Sequence, residues 1–207
     1  IASCLVGSEM CIRDRPHFVT VRNGNEEHLE NVSKGNEKVL RGRLADAAFF
    51  YEEDQKLSID QWNQKLKNVV FHESIGTIAE KVSRTQELAI WLAEKEQVPV
   101  KQIEVVKRAA TISKFDLVTN MVGEFPELQG RMGQDYAEKA NEDNRVALAI
   151  REQYLPRFSH DTLPSSTIGG ILSLADKIDT VLSCFAIGLI PTGSQDPYAL
   201  RRQANGV

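Results

Sequence analysis

Residues 163–182 read LPSSTIGGILSLADKIDTVL. Pro164 opens the run, and Ile168, Ile171, Leu172, Ala175, Ile178, Val181 and Leu182 follow at helical spacing. That period predicts one long helix with an apolar stripe. The same period recurs upstream. Asn36 is placed to cap a helix through GNEKVLRGRLADAAFFYEED (35–54), with Val39, Leu40, Leu44, Ala47 and Phe50 on one face. Ser58 caps IDQWNQKLKNVV, and Ile78, Val82, Ala89 and Leu92 mark a helix over about residues 75–94. Pro99 opens a helix through Ile103, Val106 and Ala110 that is expected to reach Met121. Pro126 opens another over ELQGRMGQDYAEKA, and Asn141 to Tyr154 forms one more, stopped by Pro156. Asp196-Pro197 reads as a cap followed by proline at the first helical position, where its missing N–H has no helical partner to lose.

One segment departs from this period. His17-Phe-Val-Thr-Val-Arg22 alternates, is rich in β-branched residues and ends at the turn signal Asn23-Gly24, so it predicts a strand. A lone strand needs partners, which assigns it to the remnant of a sheet. The expected fold class is therefore mainly α: a helical bundle, with a short β-containing remnant at the N-terminal end. The first fifteen residues, IASCLVGSEMCIRDR, resemble translated sequencing-adapter read-through and are set aside as artefactual or disordered. Residues 16–34 are expected to end a preceding β-containing domain or form a linker. Residues 35–207 are expected to be one helical domain, truncated at its C-terminus.

Composition narrows the function. With 207 residues the chain can bury roughly 70% of its unfolded surface, so it needs no disulfide or metal to hold a core. Twenty-five Lys plus Arg against 29 Asp plus Glu gives a net charge of −4, so any RNA contact must use local basic patches. Cys4, Cys11 and Cys184 form no CxxC pair, which leaves a zinc ribbon unsupported and makes a reducing cytoplasm the expected location. No apolar run reaches the ~18 residues of a membrane span.

No GxGxxG, GxxxxGK[ST] or HExxH occurs. His160-Asp161 is a literal His-Asp pair, but it sits between Pro156 and Pro164 and reads as a surface loop. A second pattern is similar to HD-type phosphohydrolases, which use a His, a His-Asp pair and a later Asp on successive helices. His72 precedes SIGTIAEKVSR, Ala109-Ala110-Thr111-Ile112-Ser113-Lys114 has the shape of the second segment, and Ala175-Asp176-Lys177-Ile178-Asp179 that of the last. Ser113-Lys114 stands where His-Asp would be, and an ammonium repels a metal ion. No metal site is expected, and His72, Ser113, Lys114 and Asp176 read as vestigial positions. The alternative is that Asp176 and Lys177 merely begin a polar stripe. No nucleophile among Ser113, Ser165, Ser166 and Cys184 has a patterned His partner. The basic residues cluster: Lys38, Arg41 and Arg43 early, Lys81 and Arg84 on one helix face, and Arg201 and Arg202 at the end. Each can pair with phosphate, or lie on a solvated face or in a salt bridge.

Five strings in order resemble the beta subunit of the bacterial, two-subunit glycyl-tRNA synthetase. They are GNEKVLRGRLADAAFFYEED (35–54), FHESIGTIAEKVSR (71–84), ISKFDLVTNMVGEFPELQGRMGQDYA (112–137), LPSSTIGGILSLADKIDT (163–180) and PTGSQDPYALRRQANGV (191–207). The resemblance implies a non-catalytic piece of a glycine–tRNA ligase, largely its helical HD-like domain. It implies a heterotetramer of two alpha and two beta subunits with tRNA(Gly) as substrate. ATP, with Mg, is used by the alpha subunit, and no cofactor is bound by this piece. Arg41, Arg43, Lys81, Arg84, Arg201 and Arg202 are the candidates for RNA contact. An active HD-type phosphohydrolase and a pure subunit-interaction module are the alternatives.

Overall fold

The computed structural model describes residues 18–21, 23–24, 27–158, 160–193 and 195–207. The chain is mainly α, as its periodicity predicts. By contact density it forms two units, one up to Ala45 and one from Asp46 onward.

Helix α1 (Leu29–Asp54) begins in the first unit, seven residues before the predicted cap, and its residues from Asp46 belong to the second. His28, in the left-handed region at φ 59, turns the chain, and its carbonyl accepts from the Asn31 and Val32 amides. Asn36 thus lies inside the helix, where its side-chain amide donates to Thr20 Oγ1 at 3.2 Å. The predicted apolar face is not covered here: Val39 and Leu44 are 66% and 60% exposed. Phe18–Val21 carries no strand, because a strand needs a hydrogen-bonded neighbour. His17 and Arg22, at the ends of that prediction, lie outside the described residues, as do residues 1–15.

The second unit holds the core. Helices α2 (Ile59–Lys65), α3 (Ile78–Lys95), α4 (Val100–Thr111), α5 (Asn120–Glu124), α6 (Arg131–Lys139), α7 (Asn144–Glu152), α8 (Thr167–Ala186) and α9 (Leu200–Asn205) follow in order. A two-stranded antiparallel sheet, β1 (Val70–His72) and β2 (Gly76–Thr77), precedes α3. It was not predicted. Gly76, at φ 107, makes the return turn that a side chain would strain.

Capping fixes where helices begin. Ser58 Oγ accepts from the Gln61 amide, and the Gln61 side chain returns to the Ser58 amide at 2.9 Å. Thr77 and Glu80 repeat this capping box at α3. Asp196 accepts from the Leu200 amide at 2.6 Å, so it serves α9, although that helix starts three residues later than its proline suggested.

The predicted helix from Pro99 to Met121 instead stops at Thr111. A 3₁₀ turn (Phe115–Val118) and the short α5 replace its second half. Two buried carboxylates hold that break. Asp54, 2% exposed, accepts from the Asn120 and Met121 amides and from the Tyr136 hydroxyl, each at 2.9 Å. Asp116, fully buried, accepts from the Gly130 amide at 2.6 Å. A straight helix cannot present those amides, because its interior N–H groups already bond within the helix.

Small residues bring the helices close. Ala89, Ala93, Ala109, Ala110, Ala147, Ala149 and Ala175 are all fully buried where α3, α4, α7 and α8 pack together. Phe115, Ile112, Ile150 and Leu172 fill the space between them. The predicted stripe of α8 is half right. Ile168, Ile171, Leu172 and Ala175 are buried, but Leu182 is 60% exposed, and Asp176, Lys177, Asp179 and Thr180 are buried on the same helix. Among the described residues no helix is long and apolar enough to cross a membrane.

Asp54→Ala strands two backbone amides and a tyrosine hydroxyl in the core. It is expected to cost about 3 kcal/mol or more of unfolding free energy, read from the denaturant midpoint. A change below about 1 kcal/mol would remove Asp54 as the anchor of α5.

Candidate functional site

Helical spacing puts Asp176, Asp179 and Thr180 on one face of α8 and Lys81 and Arg84 on one face of α3. The two faces meet inside the core. Lys81 Nζ lies 3.0 Å from Asp176 Oδ1, 3.1 Å from Asp179 Oδ2 and 2.8 Å from Thr180 Oγ1. Arg84 forks onto Asp179, with Nε 2.7 Å from Oδ1 and Nη2 3.3 Å from Oδ2. The turn after α4 delivers Lys114, whose Nζ lies 2.9 Å from Asp176 Oδ2 and 4.2 Å from the Tyr154 ring centroid. Each oxygen of Asp176 therefore has its own ammonium. Burial works to raise the Asp176 pKa, but Lys114 and Lys81 outweigh it and hold the carboxyl well below the usual range.

The four positions read from the sequence as vestigial HD ligands take different places. Lys114 and Asp176 meet directly. Ser113 is fully buried behind them, and its carbonyl accepts from the Gln153 side-chain amide. His72 stays on β1, where its Nδ1 accepts from the Ser74 amide at 3.0 Å. The residues do not fit a divalent cation: an ammonium stands on each oxygen of the one carboxylate that an HD site would contribute here. His160-Asp161 lies in a loop as expected, with His160 exposed and Asp161 accepting from the Arg157 amide at 2.8 Å.

The six predicted RNA-contacting residues separate by exposure. Arg41 and Arg43 are exposed on α1, in the first unit. Arg201 and Arg202 are exposed on α9. Arg84 keeps about a third of its side chain in solvent, at 36%. Lys81 is 4% exposed and its amine is occupied by core oxygens, so it belongs to the internal cluster and not to an RNA-facing surface. Its spacing from Arg84 was legible, but the inward direction was not. The matching signal was Asp176 and Asp179, three apart on the facing helix.

Sequence reading missed three further groups. Glu152, 3% exposed at the end of α7, accepts from the amides of Ser165 and Ser166 at 2.7 and 3.2 Å and from both hydroxyls. Burial works to raise its pKa, and these four donors hold it below the usual range. The contact fixes the N-terminus of α8, whose positive end favours an anion. Asp116 goes the other way: burial pushes its pKa up to about 6, against the opposing pull of the Gly130 amide and Lys114. Lys177 donates to the Leu155 carbonyl at 2.7 Å and to Ser173 Oγ, and burial lowers its pKa to about 8.

Beside this cluster lies a cleft of about 460 Å³. Lys81, Lys114, Lys177, Arg157 and Arg202 are its cationic lining residues, and Asp176 and Glu127 its anionic ones. Tyr154, Tyr198 and Phe71 supply aromatic walls. The arrangement can neutralise an anion and stack a ring. The polar groups of the cluster show no activated nucleophile, since its basic groups are held by carboxylates, carbonyls or hydroxyls.

Two predictions follow from the charges. Lys114→Met leaves Asp176 with one ammonium and is expected to cost about 3 kcal/mol or more in denaturant unfolding, and adding Asp176→Asn is expected to cost less than the two single changes summed. Strict additivity would mean that the pair is not coupled. Asp116 has a raised folded pKa, so its contribution is fully present below about pH 4 and lost as pH rises through about 6. Across that window Asp116→Asn is expected to gain on the parent by on the order of 2 kcal/mol, and a flat difference from pH 4 to 7 would contradict it.

The chain was then compared with known proteins. The family model for the glycyl-tRNA synthetase beta subunit matches residues 12–207. Relatives named glycine–tRNA ligase beta subunit include those of Shouchella clausii at 67% identity, Halalkalibacterium halodurans at 62% and Bacillus subtilis at 57%. Each alignment covers 93% of this chain and 28% of the relative, so the chain spans under a third of the relatives' length. The matched span and these identities agree: the chain belongs to the glycyl-tRNA synthetase beta subunit family.

Proposed function

We propose that this chain is a non-catalytic helical part of a glycine–tRNA ligase beta subunit. It supports binding of tRNA(Gly) and its charging with glycine in the cytoplasm. The ATP-dependent chemistry falls to an alpha partner, in an assembly of two alpha and two beta subunits. The family match supports the ligase context. The observation that carries the non-catalytic reading is the Asp176 cluster, where Lys114 donates to one carboxylate oxygen and the Lys81 ammonium stands 3.0 Å from the other. A hydrolase needs an open coordination position or an activated water, and this geometry offers a filled ion pair. Phosphohydrolase activity therefore finds no support here.

For RNA contact the proposal relies on the exposed Arg41, Arg43, Arg201 and Arg202, with the half-buried Arg84 beside them. Guanidinium groups suit phosphate and ribose oxygens, and the overall charge of −4 makes such local patches necessary. The uncovered apolar residues of α1, Val39 and Leu44, favour a second reading, a subunit-interaction module without RNA contact.

The test is a titration of tRNA(Gly) with the whole chain at low and moderate salt. Binding is expected to weaken steeply with salt, and Arg41→Ala with Arg43→Ala, or Arg201→Ala, is expected to lower the log–log salt slope by about 0.7–0.9 per lost phosphate contact. No binding at low salt by a folded sample would reject the RNA-contacting half and leave the interaction module.

A further inference from the structure

Helix α8 reverses the usual division of a surface helix into an apolar inner face and a charged outer one. Its charged residues are Asp176, Lys177 and Asp179, and all three are buried. The positions it leaves to solvent are apolar: Leu174, Ile178 and Val181 are half-buried, and Leu182, Phe185 and Ala186 are exposed. Even the Ser183 hydroxyl turns back, its Oγ donating to Asp179 Oδ1 at 3.4 Å. Among the described residues every other α-helix carries an exposed charged residue, and α8 carries none.

The reversal has a cause in the core. Lys81 and Arg84 on α3 and Lys114 after α4 hold Asp176 and Asp179 inward, so the polar face of α8 is taken up inside the molecule. Single exposed apolar side chains are ordinary on a protein surface, but a contiguous row is not. Leu174, Ile178, Val181 and Phe185 stand 4, 3 and 4 residues apart, the spacing of a seam between two helices. Leu182, 60% exposed, and Phe185, 48% exposed, lie at its open end.

Such a seam takes a second helix whose facing row is equally apolar and equally free of charge. A carboxylate or ammonium brought onto it would lose its water and gain no partner. That condition excludes the charged outer faces of the other helices of this chain, and α8 itself meets it. Two copies of α8 running antiparallel also set their helix dipoles in opposition. No like charge opposes the approach from the rim, because Arg84 is already paired with Asp179.

We propose that the outer face of α8 is the contact face of a two-fold dimer of this chain. The axis passes near Val181 and Leu182, so that Ile178 of one copy meets Phe185 of the other and the same patch serves both sides. The contact uses neither RNA nor the exposed arginines, so it holds or fails separately from the function proposed above.

The experiment is sedimentation equilibrium of the whole chain between about 1 and 200 µM. A reversible monomer–dimer equilibrium is expected, with a Kd below about 50 µM that added salt does not weaken. Leu182→Glu places two carboxylates beside the axis and is expected to raise the Kd about a hundredfold or more, since each change counts twice in a two-fold contact. Leu182 is exposed, so the variant is expected to keep the parent's helical circular dichroism. Leu182→Lys is expected to give a monomer as well, and an equimolar mixture of the two variants is expected to regain a dimer as opposite charges meet across the axis. The proposal is overturned by a chain still monomeric at about 200 µM, which would leave the face to a partner of another sequence, or by association that runs on past the dimer. A dimer indifferent to Leu182→Glu, or a mixture of the two charged variants that stays monomeric, would overturn it equally.

Discussion

A carboxylate that is 7% exposed stays ionised among packed helices only if cations reach it, and Asp176 is reached by two. Lys81 comes from α3 and Lys114 from the turn after α4, so the one side chain ties two segments to α8. Each of those segments must hold its register for the distances to hold. A half-turn slip of α3 would carry Lys81 and Arg84 away from Asp179 together, leaving Asp179 without a cation in the core and Asp176 with Lys114 alone. The apolar contacts of Ala89 and Ala175 set how closely α3 and α8 approach, and the ion pairs set their rotation.

The same logic recurs at helix ends. Asp54 gathers the amides that open α5, and Glu152 those that open α8. Both carboxylates belong to the closing residues of other helices, α1 and α7. An anion at one helix's end thus satisfies the orphan donors at another's start. This is why the segment between Thr111 and Arg131 can be broken into short pieces while Phe115, Asp116, Met121 and Val122 stay buried: its freed inner amides find carboxylates rather than water.

Much of this was legible beforehand. The 3.6-residue period located α3, α4, α7 and α8, and Ser58, Pro99 and Asp196 marked real helix starts or their capping groups. The misses share a cause. Period and propensity report on neighbours in sequence, whereas the break after Thr111 depends on Asp54, 66 residues away from Asn120. The hairpin before α3 depends on Gly76 taking a positive φ, which no pattern of apolar residues announces. At the site, the sequence marked Ser113-Lys114 as lost ligands and Lys81 with Arg84 as a basic face. It did not join the two observations, because only the packing of α3 and α4 on α8 brings both lysines to one aspartate.

A lysine in the place of a bound ion has a further consequence. Its charge is encoded and tethered: every molecule made carries it in fixed stoichiometry, and no chelator or shortage of metal in the surroundings can withdraw it. The fold around Asp176 is in that respect self-sufficient from the moment the chain is complete. The exchange runs one way, however. An ammonium has no vacant orbital to accept an electron pair, so it neutralises a carboxylate without polarising a water molecule, and the lysine that secures the scaffold offers no Lewis-acid chemistry at the same point.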